Sequence, residues 1–250
     1  MSEIWDNPFG HAKLKIERAD KHIADVGERL RASSDKYGPS LHLNAKTGEQ
    51  LLYYGLTDRT LRSDVALIVG DAIHNLKCAL DIAYRETIRV LSPDGFSAAR
   101  TKFIIGNNRE HLESSLTKTA KINPHSPLFD FLVERVKSYR GGDSDICAIH
   151  DLDIDDKHHL LIPMLTVVGV DGAELENEDG TIDRFTIALT RPNFYRKSVP
   201  LHSKLKNHGE VRFQITFREG TPTHDLAVVP TLIRFSKKTL RIVNFLQRLR

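Results

Sequence analysis

Cysteine is scarce in this sequence, and so are the short motifs that identify many protein classes. Two cysteines among 250 residues, Cys78 and Cys147, provide no disulfide framework and favour a reducing, cytoplasmic compartment. The chain contains no CxxC pair, no P-loop and no glycine-rich dinucleotide motif. The acidic run between Asp143 and Asp156 lacks the central glycine and closing glutamate of a calcium-binding loop. Calcium sensing and the common nucleotide-binding folds are therefore left without support.

Long apolar runs are also missing. No stretch approaches the roughly 18 residues that a membrane-spanning helix needs, so we expect no membrane partner. The first residues have no apolar segment of the kind found in signal peptides, which again favours the cytoplasm. Hydrophobic residues make up 40% of the chain and charged residues 28%, as in ordinary globular domains. The length suits one large domain or two small ones.

Charge is distributed unevenly along the chain. The net charge is +3, yet residues 184–250 carry 14 Lys and Arg against 3 Asp and Glu. The remaining residues carry 22 basic and 30 acidic side chains. Three explanations are open: the basic segment attracts the acidic remainder, it meets an anionic partner such as nucleic acid, or it is simply a solvated basic surface.

The stretch from Leu61 to Leu91 is the strongest helix signal. Its apolar residues recur at spacings of three and four and Pro93 follows, so we predict one helix of about 30 residues with a core-facing stripe. A second, mostly polar face lies within an arc of about 80° opposite that stripe. We expect function on this face, which consists of Asp71, His74, Cys78, Asp81 and Arg85.

Other elements of the first 160 residues follow from similar patterns. An apolar seam that starts at Phe9 predicts a helix that ends near Tyr37-Gly38-Pro39 and packs against the 61–91 helix. A turn-like AKTGE between SLHLN and QLLYYG predicts a hairpin near 40–55, although an irregular crossover fits the same length. A short helix is expected between Pro127 and Gly141. The next helix is predicted over residues 146–160, with an apolar side made of Ile146, Ile149, Leu152, Ile154 and Leu160.

Strand patterns follow from residue 161 onward. The segments LTVVGV, RFTIALT and VRFQITF are β-branched and aromatic, and turn signals separate them. A basic loop, RPNFYRKSVPLHSKLKNHG, lies before the third segment, and a final helix is predicted from about Thr231. This last helix docks on the sheet or returns to the bundle. We therefore predict an α+β fold: a helical bundle over 1–160, then a small, mostly antiparallel sheet and a basic C-terminal helix over 161–250, packed as one unit with the bundle.

Two segments resemble motifs of a family of uncharacterised bacterial proteins. Residues 70–81, GDAIHNLKCALD, resemble a pattern close to G-D-x-x-H-N-L-R-x-A-L-D-H. The segment Asp156-Lys157-His158-His159 resembles a later D-K-H-R, and Phe103-Ile104-Ile105 resembles an F-P-I-like element between the two. The resemblance covers about residues 5–165 and implies a coherent unit. It implies no reaction, because that family has no established activity.

A second resemblance concerns the R-x4-H within the usual form of the first motif. This spacing is similar to the R-x4–6-H signature of HEPN-type helical domains, many of which are metal-independent RNases of toxin and antiphage systems. The similarity implies RNA cleavage in a defence or toxin-like setting. The present chain departs at both ends, because Lys77 stands at the arginine position and Ile82 at the histidine position. A HEPN-type site would lack its histidine here.

Histidines and carboxylates of the two motifs form a candidate catalytic site. Imidazole and carboxylate groups on facing bundle helices can bind a divalent metal and activate water for hydrolysis. Zinc, manganese and iron accept such mixed ligands, for which the candidates are Asp71, His74, Asp155 and His158.

Chemistry without metal is the competing hypothesis. His74 and His158 then serve as general acid and base, and Lys157 offsets charge on a phosphate transition state. Asp71 and Asp81 complete this candidate catalytic set.

A structural role for the same motifs is the third alternative. Asp71, His74 and Asn75 would then hydrogen-bond the backbone of 146–160, and Asp81 would pair with Lys157. Such a protein would be a non-catalytic interaction protein, in which Cys78 is a small buried residue.

Nucleic-acid contacts are predicted in the basic C-terminal quarter. Aromatic rings beside basic side chains can stack on and neutralise a single strand. The expected partners are RNA or another protein, with a homodimer also compatible with the sequence. The candidate contact residues are Arg191, Tyr195, Arg196, Lys197, Lys237, Lys238 and Arg241.

Overall fold

The structure, a computed structural model, describes residues 7–32, 37–44, 46–56, 60–97, 101–159, 163–193 and 195–249. In this part of the chain the fold is α+β, as predicted, with six α-helices and seven strands. The chain forms two compact units: Met1–Asp25, Leu67–Leu161 and Val229–Arg250 make up the first, and Val26–Ala66 with Ile162–Val228 the second. None of the described helices combines the length and apolarity needed to cross a membrane.

The two long N-terminal helices agree with their sequence patterns. Helix α1 spans Pro8–Ala32 and helix α2 spans Thr60–Leu91. The apolar seam of α1 is buried, and so is the predicted core stripe of α2. The predicted end of α1 near Pro39 is wrong, because Tyr37–Leu43 form strand β1. Proline is tolerated there because β1 ends the order β1-β2-β5 of its sheet.

Four shorter helices complete the described helical elements. They are α3 (Arg109–Ser114), α4 (Pro127–Asp130), α5 (Ser144–His158) and α6 (Val228–Arg248). Helices α3 and α4 continue into π-helical turns over Ser115–Thr119 and Phe131–Val136. The second turn ends at Lys137, whose backbone is left-handed with φ 54°. The helix predicted to reach Gly141 therefore ends earlier.

Helix α6 belongs to the first unit, the second of the two placements expected for it. Ser236 Oγ donates to Asp20 of α1 at 2.6 Å, and the rings of Phe131 and Phe245 stack at 3.6 Å. The hairpin residues join the second unit, so the grouping differs from the predicted division at residue 160.

The second unit contains two small antiparallel sheets. Strands β1 (Tyr37–Leu43) and β2 (Gln50–Leu56) form the predicted hairpin, and β5 (Tyr195–Val199) pairs with β2. Strand β3 (Met164–Glu176) pairs with β4 (Ile182–Asn193), β6 (Lys204–Asn207) and β7 (Glu210–Thr216). The predicted basic loop is therefore wrong over the end of β4 and over β5 and β6. The core of this unit consists of Leu52, Val170, Ala173, Leu175 and Val199.

Candidate functional site

Helices α2 and α5 bring the two sequence motifs into contact. Gly70 lies directly against the carboxylate of Asp156, and a Cβ at position 70 would overlap that carboxylate. Glycine at this position therefore leaves room for the Asp156 carboxylate. This contact lies one turn of α2 before His74.

His74 is held by a buried carboxylate. Its Nδ1 lies 2.8 Å from Oδ1 of Asp153, whose side chain is 5% exposed, whereas the His74 side chain is 50% exposed. The other oxygen of Asp153 accepts a hydrogen bond from Lys157 Nζ at 2.6 Å. This bond raises the pKa of Lys157 and so favours its cationic form. With Nδ1 engaged by Asp153, proton transfer depends on Nε2, which is in contact with the Cys78 thiol.

Cys78 occupies the opposite side of the same ring. Its Sγ lies 3.4 Å from Nε2 of His74, one helical turn away on α2. Burial raises the pKa of the Cys78 thiol, while Lys15 of α1 acts in the lowering direction. The Cys78 contact was missed in the sequence, although its i,i+4 spacing from His74 is visible there. Asp153 was missed because it is one of several aspartates along α5.

Lys77 and Asp81 form an internal ion pair next to this site. Lys77 is buried at 5% exposure, and its ammonium donates to Oδ1 of Asp81. The same oxygen accepts from the backbone N–H of Phe103 at 2.8 Å. Asp81 therefore fixes the segment that follows α2. The predicted ion pair between Asp81 and Lys157 is wrong. Asp81 pairs with Lys77, and Lys157 pairs with Asp153.

The remaining motif residues are arranged separately. Asp71 is exposed, and its backbone carbonyl accepts from Asn75 Nδ2 at 2.7 Å. His158 is exposed in the last turn of α5, and Asp155 lies 3.5 Å from His159. Over the described residues, no three His, Cys, Asp or Glu side chains are grouped to hold a metal ion. The predicted metal set of Asp71, His74, Asp155 and His158 is therefore not brought together.

His150 is a partly buried histidine of α5. Its Nδ1 is enclosed without a hydrogen-bond partner. Burial lowers the pKa of His150, and nearby Lys77 lowers it further. The neutral form of the ring is therefore favoured.

The basic residues of α6 divide into two groups. Lys238 pairs with Asp143 at 2.5 Å and with Asp145 at 3.2 Å, at the start of α5. Arg234 also pairs with Asp145, at 3.0 Å. Lys237 and Arg241, by contrast, are exposed. Ion pairs with the acidic part of the chain thus engage Arg234 and Lys238, whereas Lys237 and Arg241 face solvent.

The predicted contact residues of the former loop lie in strands. Arg191 is in β4, and Tyr195 and Arg196 are in β5, but their side chains lie outside the described part of the structure. Lys197 is exposed, and its Nζ lies 5.0 Å from the centre of the Phe185 ring.

No protein-family model, curated protein or solved structure matches the chain. The functional assignment therefore depends on the chemistry of the site itself.

Proposed function

We propose that the protein is a metal-independent, RNase-like enzyme in which His74 is the general base. One observation carries the proposal: a half-exposed imidazole is fixed through Nδ1 by a buried carboxylate that also holds a lysine. A base, a carboxylate that orients it and a cation all promote phosphodiester cleavage through a ribose 2′-hydroxyl.

Each residue has a distinct part in this reaction. His74 Nε2 takes the proton of the 2′-hydroxyl as that oxygen attacks phosphorus. The bond from phosphorus to the 5′-oxygen breaks, and the 5′-oxygen leaves with the electron pair and takes a proton from water. The products are a 2′,3′-cyclic phosphate and a 5′-hydroxyl. Asp153 holds the ring in the productive tautomer and stabilises the imidazolium that forms. Lys157 has three donor hydrogens, of which Asp153 engages one, and it offsets charge on the phosphorane-like transition state.

RNA is the proposed substrate because cations accompany this site in the same compact unit. Lys237 and Arg241 of α6 are exposed, and Arg241 lines a cavity of about 160 Å³ with Arg135 and Lys238. We further propose a cytoplasmic, defence or toxin-like setting. The free thiols of Cys78 and Cys147 support the reducing compartment. A HEPN-like mechanism is not part of this proposal, because Lys77 is buried against Asp81.

A fluorogenic single-stranded RNA cleaved by the purified protein tests this function. His74→Gln should lower the rate about 100-fold or more, the usual contribution of a general acid–base group. The matched control is His125→Gln, which changes an exposed histidine of a loop and should leave the rate unchanged. Chelation with EDTA should have no effect. Full activity in His74→Gln, or complete loss with EDTA, would contradict the proposal.

A non-catalytic role is the second candidate, and a specific observation favours it. Asn75, Lys77 and Asp81 all have partners inside the protein, as residues that fix packing do. Under this alternative, Asp153→Asn lowers the thermal midpoint while no RNA turnover is found in the wild type.

A further inference from the structure

Cys78, His74 and Asp153 form a connected series of three side chains. The thiol lies 3.4 Å from Nε2 of His74, and Nδ1 of the same ring lies 2.8 Å from the buried Asp153 carboxylate. Nucleophile, base and orienting acid stand in this order in thiol enzymes. The RNA reaction described above makes no use of the sulfur.

Lysines and carboxylates both act on this sulfur. Burial raises the pKa of Cys78, and Lys15 and Lys77 act in the lowering direction. Asp153 contributes most to the raised pKa of Lys157, and Cys78 adds to it, so this third ammonium also acts on the sulfur. Two carboxylates, Asp81 and Asp153, act in the opposite direction. Burial and the carboxylates outweigh the lysines, so removal of the thiol proton depends on His74. Lys15, whose Nζ donates to Asn75 at 3.2 Å, and Lys157, whose Nζ donates to Asp153 at 2.6 Å, are the cations beside the Cys78–His74 pair.

We propose that Cys78 is a nucleophilic modification site that reacts with electrophiles carrying a negative charge, with His74 as its base. The proposal goes beyond RNA cleavage and does not require it. Lys15 and Lys157 attract the anionic group of the reagent and bring its electrophilic carbon to Sγ.

The simplest such reaction is alkylation by iodoacetate. Sγ forms a bond to the methylene carbon, the carbon–iodine bond breaks and iodide leaves with its electron pair. The thiol proton moves to Nε2 of His74, and Asp153 stabilises the resulting imidazolium. No oxidant or reductant is needed, because the thiol hydrogen is replaced by a carboxymethyl group.

The test compares iodoacetate with the uncharged iodoacetamide on the intact protein, with adducts located by peptide mass spectrometry. At Cys78, the rate constant for iodoacetate divided by that for iodoacetamide should be about five times the same ratio measured for N-acetylcysteinamide. Such a factor is the effect of one cation near contact distance in water. Lys15→Gln and Lys157→Gln should each lower this ratio. Lys118→Gln, which removes an exposed lysine of the π-helical turn after α3, is the matched control and should not.

His74→Gln tests the base. It should slow both reagents at Cys78 about tenfold or more, since a positioned base is lost. Cys147, which is 9% exposed, serves as an internal reference and should react slowly in every variant. Circular dichroism confirms that each variant is folded. Three results would overturn the proposal: equal rates at Cys78 and Cys147, no effect of His74→Gln, or a reagent ratio equal to that of the small thiol. Labelling is measured without RNA, so its failure is distinct from failure of the RNase proposal.

Discussion

Asp153 is a single carboxylate with two basic partners, and it determines how the candidate site is arranged. It lies inside the protein, whereas His74 and Lys157 are each about half exposed. An apolar pattern alone places Ile154 inside, yet that side chain is 44% exposed and its neighbour Asp153 is buried. The ion pair with Lys157 and the hydrogen bond to His74 offset the cost of burying the Asp153 charge, which a count of apolar residues does not include.

The Lys77–Asp81 pair gives a stability prediction at the same scale. Asp81→Asn leaves a buried ammonium without its counter-charge, so we expect the free energy of unfolding to fall by roughly 3–5 kcal/mol. The double change Lys77→Met with Asp81→Leu removes both charges and should recover much of that loss. Urea denaturation of the three proteins measures the difference.

Recovery in the double variant should be incomplete, because the backbone N–H of Phe103 loses its acceptor when Asp81 is replaced by leucine. A loss below about 0.5 kcal/mol in Asp81→Asn, typical of an unremarkable surface change, would show that the pair does not fix this part of the fold.

At the scale of whole elements, the long periodic segments are the ones that sequence predicts best. Helices α1 and α2 follow their apolar spacing, and the β1–β2 hairpin follows its turn residues. Strand β5 was missed because its alternation is obscured by charged residues, which are compatible with a strand that ends the order β1-β2-β5. The partner of His74 was missed because the sequence does not show which aspartate of α5 faces α2. The rotation of α5 about its axis decides this, and tertiary packing sets that rotation. The four candidates are Asp151, Asp153, Asp155 and Asp156.

The free energy of unfolding should depend on pH through His150 of α5. Burial lowers the pKa of His150 below its ordinary value of 6.5. The unfolded chain therefore binds this proton more readily, so stability is fully present above pH 6.5 and is lost as the pH falls toward the lowered pKa. The charged groups that act on the ring are Lys77, Arg140, Asp151 and Asp153.

Urea unfolding as a function of pH measures this dependence. His150→Gln should reduce the loss of stability on acidification, because one of the groups that resists protonation is removed. The comparison is made against His125→Gln, which is exposed and should keep the wild-type profile. Parallel profiles for His150→Gln and the wild type would contradict the assignment.

For the molecule as a whole, the uneven charge is partly neutralised inside the first unit. Burial opposes ionisation of Asp145, yet hydrogen bonds from Arg234 and Lys238 lower its pKa. These two cations therefore contribute to the attachment of α6 to α5. Lys237 and Arg241 remain exposed on α6, so they are the side chains expected to contact phosphates.

Salt dependence of RNA binding distinguishes the two groups of cations. In the His74→Gln background, Lys237→Gln and Arg241→Gln should each reduce the slope of log affinity against log salt by about 1. Lys238→Gln should change the slope less, because its charge is already paired with Asp143. Fluorescence anisotropy over a sodium chloride series measures the slopes. Equal effects of all three changes, or binding indifferent to salt, would argue against this phosphate interface.

The contact between Gly70 and Asp156 has a consequence for sequence variation. A side chain at position 70 would occupy the space of the Asp156 carboxylate, so the two positions share one volume. A side chain at position 70 requires the side chain at position 156 to move or to be smaller. Among relatives of this protein, alanine or serine at position 70 should therefore accompany a residue shorter than aspartate at position 156, and the two positions should vary together.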